Sequence, residues 1–443
     1  MDDFLFLCRS REEALRGRAY VEALLEALGL QRQPSKGCWE PTQVLQPHLG
    51  LGIDTAEGRF FVPPERLAKL ESLASALLGR ASRDRGLVPK RLLASFCGTA
   101  QSLYLALPPA RFMLRSLHEA LNSAPGWSGS VRLTSAAKTD LRWFMAVPQR
   151  WTGRALFRSP ETATLHCDAA SGAWGGVLNS RLPARGSFRP HQLPEHITSK
   201  ELRAVLYSVE TFLPHLRGRR VRLWEDNQAV VAMLTSWTSR NPLLMGLIRR
   251  LWWLLDTHDI SLHPVYIRSA ANVWADALSR QVDPADWSLS SAAFHLLESR
   301  WGPHTVDCFA SENTALLPRF FSAWASPTSS GVDAFAQPGW ASENNLCVPP
   351  TECLDQLAHL LETNGAAATV VVPNWPAQSW YQLFQELSSE RLVLPPGSAA
   401  LGWELVAFRL ERSLFCTGAC SHPKIPQFHR LSYLGPARRA ACL

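Results

Sequence analysis

Long apolar runs are missing from this chain. The longest, such as residues 251–255, fall far below the ~20 residues that span a bilayer, and no signal-peptide pattern is present. A transmembrane helix is thereby excluded, and an intracellular location, nuclear or cytoplasmic, is expected. The ten cysteines keep no framework spacing, which excludes a disulfide scaffold and suggests reduced thiols. Charge is sparing too. Charged residues make up 19% of the chain against 46% hydrophobic, the balance of a core-forming protein and not of a disordered one. Lysine is rare, so most of the 45 basic side chains are arginine. Neither an internal repeat nor a low-complexity tract occurs.

The chain is well supplied with length, arginine, tryptophan and proline. Its 443 residues allow two to four domains at about 100–200 residues each. The 31 prolines suit compact units with stiff joints, and the 17 tryptophans suit faces that stack on bases or sugars. A net charge of +7, carried by guanidinium forks that take phosphate bidentately, leans toward a polyanionic partner.

The pattern along the chain is α/β throughout. Residues 1–150 read as mixed. Residues 11–28 have a helical period that puts Ala14, Tyr20, Leu24, Leu25 and Leu28 on one side. Residues 44–53 and 59–62 read as a strand pair around a turn at 55–58. Pro63 and Pro64 open a helix over 65–78, and 90–107, 111–122 and 134–147 read as further helices. Residues 160–285 change rhythm, with strands at 163–168, 173–178, 184–188, 220–224 and 261–267. Helices at 198–213 (with a Ser/Thr N-cap), 227–237, 242–256 and 272–279 complete the order β-β-β-α-β-α-α-β-α. That order predicts a three-layer arrangement around a mixed five-stranded sheet. Residues 286–395 give a further small α/β domain, with helices at 290–299, 354–363 and 379–387 and strands at 305–309 and 368–372. Residues 396–443 read as a C-terminal extension ending in a basic tail.

Four acids in the second segment fall at telling places. Asp168 ends the first strand, Glu201 lies in the first turn of the first helix, Asp226 follows the fourth strand and Asp276 sits in the last helix. They are 33, 25 and 50 residues apart, yet strand pairing can bring such positions together. Hard divalent cations such as Mg²⁺ or Mn²⁺ take carboxylate oxygens and keep several waters. Two ions about 4 Å apart can activate a water and stabilise the leaving oxygen of an in-line phosphodiester cleavage. Converging carboxylates also repel, so a metal-free site should show raised pKa values for some of them. Glu225, still inside the strand, is the confusable neighbour and the weaker candidate.

The residues around these acids carry a resemblance. Cys167-Asp168-Ala169-Ala170-Ser171 leading to Trp174-Gly175-Gly176-Val177, then Thr198-Ser199-Lys200-Glu201-Leu202-Arg203-Ala204, is similar to the retroelement branch of the ribonuclease H family. Trp224-Glu225-Asp226-Asn227-Gln228-Ala229 and Asn272-Val273-Trp274-Ala275-Asp276-Ala277-Leu278-Ser279-Arg280 continue it in order. The resemblance implies that Asp168, Glu201, Asp226 and Asp276 hold two Mg²⁺ or Mn²⁺ ions and that the RNA strand of an RNA–DNA hybrid is hydrolysed. Ser171, Gly172 and the amides of Asn227 and Gln228 are candidate readers of the minor groove, where the 2′-OH marks RNA. Asn227 has a second reading, as the cap of the helix that follows it. Some relatives carry a His in the loop before the last helix. Here that loop, 266–271, has none, His258 and His263 suit solvated or core roles, and Arg268 is the candidate phosphate contact.

The flanks resemble parts of larger machines. Met1-Asp2-Asp3-Phe4-Leu5 is similar to the tail of the paired-aspartate turn of reverse transcriptases. Pro34-Ser35-Lys36-Gly37, His48-Leu49-Gly50-Leu51-Gly52-Ile53 and Phe96-Cys97-Gly98-Thr99-Ala100-Gln101 resemble their late palm and thumb or connection. The resemblance implies a partial reverse transcriptase in which Asp2 and Asp3 are vestigial, since no third aspartate or fingers region accompanies them, and polymerase activity is not expected. His304-Thr305-Val306-Asp307-Cys308-Phe309-Ala310-Ser311, Cys347-Val348-Pro349-Pro350 and Val371-Val372-Pro373-Asn374-Trp375 resemble phage-type DNA adenine methyltransferases, which follow ribonuclease H in DIRS-like retroelements. Val348 and Thr351 replace the polar and aromatic residues expected beside the two prolines. Asp307, Pro349 and Pro350 then read as vestigial, in a fold kept for binding DNA. Cys416, Cys420, His422 and His429 have an atypical zinc spacing and read as chance.

Together these point to a retroelement-derived, metal-dependent endoribonuclease acting on RNA–DNA hybrids, with DNA or RNA duplex as a wider partner class. The alternative is a catalytically inactive nucleic-acid-binding relic. The helical Glu201 and the Ala-Asp-x-Leu-Ser-Arg ending argue against a DNA-cutting enzyme of the same fold.

Overall fold

The computed structural model describes residues 5–30, 33, 38–124, 126–147, 153–156, 160–281, 287–400 and 402–412. Asp2, Asp3, the stretch 34–37 and the Cys416, Cys420, His422 and His429 run lie outside the described residues. Met1–Pro160 with Ser236–Arg240 form one compact unit, and Glu161–Thr235 with Asn241–Leu443 a second.

The first unit comprises α1 (Arg11–Ala27), β1 (Val44–His48), β2 (Leu51–Asp54), β3 (Arg59–Phe61), α2 (Pro64–Arg83), β4 (Leu87–Pro89), α3 (Lys90–Ser102), α4 (Ala110–Met113), α5 (Arg115–Asn122), β5 (Ser130–Arg132), α6 (Ser135–Phe144) and β6 (Gly153–Ala155). Helix α1 starts at Ser10, whose hydroxyl accepts from the Glu13 N–H at 3.1 Å. It buries no residue, and Tyr20, Leu24 and Leu28 of its apolar side stay exposed. Residues 44–53 form two antiparallel strands, where a single one was expected. Leu49 and Gly50 turn the chain at φ 48° and 83°, a left-handed pair that glycine makes cheap. Fully buried Leu70, Leu77, Leu93, Phe96, Phe112 and Phe144 form the helical core, and Phe96 meets Phe144 edge-on at 5.1 Å. The β4–β5 pair was not expected, because three residues per strand carry no readable period.

The second unit begins with β7 (Ala163–Ala169), β8 (Ala173–Leu178), β9 (Leu182–Ser187), α7 (Ile197–Thr211), α8 (Leu213–Leu216), β10 (Arg220–Glu225), α9 (Gln228–Ser236), α10 (Pro242–Thr257), β11 (Ser261–Tyr266) and α11 (Val273–Arg280). The sheet order is β11-β10-β7-β8-β9. β7, β8 and β9 form an antiparallel meander, while β10 runs parallel to both β7 and β11. This is the mixed five-stranded sheet expected. Helix α7 is capped by His196, whose Nδ1 accepts from the Thr198 N–H at 3.2 Å, and not by the Ser or Thr expected. The helix therefore starts one residue earlier, and Glu201 opens its second turn.

Gly175 and Gly176 explain the three layers. Successive residues of a strand face opposite sides. A β-carbon on Gly175 would lie 2.7 Å from the Ala275 carbonyl oxygen and 2.9 Å from the Ser279 nitrogen of α11. One on Gly176 would collide with Ser208 of α7. The paired glycines let α7 and α11 press on the two faces of one strand. Gly175→Val is therefore expected to lift α11 and cost about 1–3 kcal/mol, read as a lower unfolding midpoint in denaturant.

The same unit continues with α12 (Ser291–Trp301), β12 (Val306–Asp307), β13 (Phe321–Ser322), β14 (Gly331–Val332), β15 (Asn345–Cys347), α13 (Leu354–Asn364), β16 (Ala368–Pro373), α14 (Ser379–Leu387), β17 (Glu390–Val393) and β18 (Leu405–Leu410). The sheet order is β12-β15-β16-β18-β17, with three parallel strands followed by an antiparallel pair. Val370, Val372 and Phe408 face one apolar core, and Val371, Leu405 and Ala407 the other. Because β18 lies between β16 and β17, the sheet runs to residue 410 and past the boundary expected at 395. The Arg185 N–H donates to the Ala325 carbonyl at 3.1 Å, so this second half covers the edge strand β9 of the first sheet.

Candidate metal centre

Parallel pairing sets the site. His166 of β7 pairs with Trp224 of β10, so two residues further on Asp168 and Asp226 stand level at the ends of adjacent strands. Helix α7 supplies Glu201. One carboxylate oxygen from each of Asp168, Glu201 and Asp226 lies within 4.8 Å of the others. Asp168 and Glu201 are buried and Asp226 is half-buried. Glu201 Oε2 is buried with no hydrogen-bond partner, an arrangement that costs free energy unless a cation fills it.

Asp276, the fourth acid of the sequence pattern, does not join this trio of ligand atoms. Its Oδ1 accepts from Arg280 Nε at 2.5 Å, one turn along α11. Between them, the Ser279 hydroxyl donates to Asp168 Oδ2. Asn272 Nδ2 donates to the Cys167 carbonyl at 2.8 Å and ties the start of α11 to β7.

The electrostatics follow from burial and crowding. Burial pushes Asp168 up to about 6, and the charges of Asp226 and Asp276 add to it, against the Ser279 hydrogen bond and the Arg280 charge. Glu201 is pushed up to about 9 by burial and by Asp168 and Asp226, opposed by a hydrogen bond from the Ala169 backbone and by Arg280. Raised values were expected for crowded metal-free carboxylates, and two of the acids show them. Glu225 is fully buried. Its Oε1 accepts from the Asn227 N–H at 3.2 Å and its Oε2 has no partner. Burial and the Glu201 charge hold its pKa well above the ordinary range. The sequence shows Glu225 in the strand but not a fifth acid packed behind the trio.

The other sequence candidates fall around this centre. Ser171 and Gly172 are exposed in the turn between β7 and β8. The Phe188 N–H donates to the Gly172 carbonyl at 2.8 Å. Lys200 Nζ donates to the Ser171 and Leu193 carbonyls, both at 2.7 Å. Lys200 is buried beside Glu201 and was missed by sequence reasoning, since a lysine in an amphipathic helix usually reads as solvated. Lys200→Met is expected to cost about 1–3 kcal/mol by leaving these carbonyls unmatched. The loss should read as a lower unfolding midpoint in denaturant.

Asn227 Oδ1 accepts from the Ala229 and Val230 N–H groups at 3.0 and 3.3 Å, so the side chain caps α9. Gln228 and Arg268 are exposed. In the second sheet Asp307 ends β12 and accepts from the Leu316 N–H at 3.0 Å, and burial pushes it up to about 6. Pro349 and Pro350 follow β15, and Trp287 Nε1 donates to the Pro349 carbonyl at 3.3 Å.

No protein-family model matches the chain, and no curated protein matches it. Among solved structures it is similar to RNase H1 from the halophilic archaeon Halobacterium salinarum, at 23% identity over 26% of this chain and 92% of that one, with a TM-score of 0.23. It is also similar to LC11-RNase H1 in complex with RNA/DNA hybrid, at 14% identity over 26% of this chain and 93% of that one, TM-score 0.24. A foamy viral protease-reverse transcriptase in complex with RNA/DNA hybrid matches at 12% identity over 60% of this chain and 34% of that one, TM-score 0.28. No helix among the described residues is long and apolar enough to cross a membrane.

Proposed function

We propose that residues 160–281 form a metal-dependent ribonuclease H that hydrolyses the RNA strand of RNA–DNA hybrids. The observation that carries this reading is the convergence of Asp168, Glu201 and Asp226, from three separate elements, on one point at the end of two parallel strands. The motifs that resemble the ribonuclease H family fall on β7, α7, β10 and α11 and in that order, which supports the choice of reaction. The donor set fits Mg²⁺ or Mn²⁺, because it consists of carboxylate oxygens and includes the orphaned Glu201 Oε2. When bound, two such ions supply an activated water and a stabilised leaving oxygen. The chain's own groups bind and orient. The turn at Ser171 and Gly172 adjoins Asp168, Asn227 and Gln228 adjoin Asp226, and Arg268 offers an exposed guanidinium to phosphate.

The flanking segments are read as a partial reverse transcriptase and a methyltransferase-like relic that hold duplex without their own chemistry. Incubating the full chain with labelled RNA–DNA hybrid and Mg²⁺ or Mn²⁺ tests the main reading. Cleavage of the RNA strand, with DNA duplex left intact, is expected. A folded chain that binds hybrid and leaves it uncut would establish the inactive relic instead.

A further inference from the structure

We propose that Arg280 is a positioning residue that holds Asp276 back from the three-carboxylate centre and releases it when ions and a phosphodiester arrive. The inference rests on the metal-dependent reading above.

Consecutive residues of α11 each hand a donor to a different acid. Ser279 donates to Asp168, and Arg280 Nε donates to Asp276 Oδ1 at 2.5 Å. The oxygens of Asp168, Glu201 and Asp226 gather without Asp276, whose carboxylate is engaged by Arg280 instead. The guanidinium is also near enough for its charge to act on Asp168 and Glu201. It offsets part of the repulsion among those carboxylates.

The clasp is built to open. The Arg280 side chain is 72% exposed and that of Asp276 is 35% exposed, and an exposed pair of this kind is held weakly. A divalent ion competes with Arg280 for the Asp276 carboxylate. A phosphate competes with Asp276 for the guanidinium fork, which it can meet bidentately. Each arrival frees the group the other needs, so metal and nucleic acid should help one another bind.

The test is Mn²⁺ binding to the full chain, followed by the resonance signal of free Mn²⁺, for wild type, R280A, D276N, the R280A/D276N pair and D226N. Wild type should bind Mn²⁺, D226N should bind it poorly, and R280A should bind it several-fold more tightly than wild type. In the D276N background most of that gain should vanish, because the carboxylate to be released is gone. Equal or weaker binding by R280A, with D226N still impaired, overturns the role of Arg280 and leaves the metal centre standing. A gain of the same size in both backgrounds also overturns it, since removal of a repelling charge would then suffice. Wild type and D226N binding alike would remove the metal centre itself and the clasp with it.

Discussion

Asp226→Asn in the full chain is expected to slow hybrid cleavage on the order of 10³-fold, about 4 kcal/mol of transition-state stabilisation, with little change in hybrid affinity. Asparagine keeps the shape of the side chain at the end of β10 and removes one of three converging carboxylates. The loss should fall on retention of the ions and so lessen as Mn²⁺ is raised. Single-turnover cleavage read beside circular dichroism separates this from unfolding. Cleavage at the wild-type rate would end the assignment of Asp226. The adjacent acid gives an internal contrast. Glu225 is fully buried, and burial with the Glu201 charge raises its pKa well above the ordinary carboxylate range. Glu225→Gln, which keeps the shape and an oxygen to accept from the Asn227 N–H, should leave cleavage near wild type. Neighbouring carboxyls one residue apart are thus expected to behave oppositely, because Asp226 offers an oxygen to the trio while Glu225 is fully enclosed.

Glu201→Gln should stabilise the metal-free protein at pH 8 by a few kcal/mol, roughly 10 °C in the unfolding midpoint of the second unit. A group whose folded pKa lies above its unfolded one favours the native state while protonated. Its contribution is intact below the unfolded value and is lost as pH rises through the folded one. For Glu201 that window runs from the ordinary 4.5 to about 9, and for Asp168 from 3.8 to about 6. Metal-free wild type should therefore gain stability as pH falls from about 8 to about 5.5, by more than the Gln variant does. Adding Mn²⁺ should remove most of the difference at pH 8, because bound ions compensate the same charges, and Mn²⁺ affinity should fall in acid as protons compete. Hydrogen exchange of α7 assigns the transition to the right unit. A wild-type chain that loses more stability than Glu201→Gln over that range would show that repulsion is not stored there.

Local pattern carried the sequence reading where it was strong. The glycine-containing stretch 173–178 gave β8 with the bounds observed, and the helical reading of 379–387 gave α14. It failed where the deciding interaction was short or distant. His196 as a cap, the Leu49–Gly50 turn and the three-residue strands β4 and β5 leave too little signature in composition. The strand β18 is apolar enough to be read, but its place between β16 and β17 is set by pairing with residues far back in the chain. The apolar side of α1 was read from a true period, yet no surface of the described residues buries it.

For the centre itself, the sequence determined the chemistry of the donors. Carboxylates at 168, 201, 226 and 276, with a glycine pair and a Ser-Arg ending, are local facts that no folding can change. The tertiary structure decided which of them meet. The parallel register of β7 and β10 levels Asp168 with Asp226, and close contact of α7 with β8 brings in Glu201. The helix geometry of α11 gives Asp276 to Arg280 instead. It also decided their protonation, since burial and mutual repulsion are properties of distance in space. Residues 25 to 50 positions apart along a chain acquire such distances only when the sheet forms.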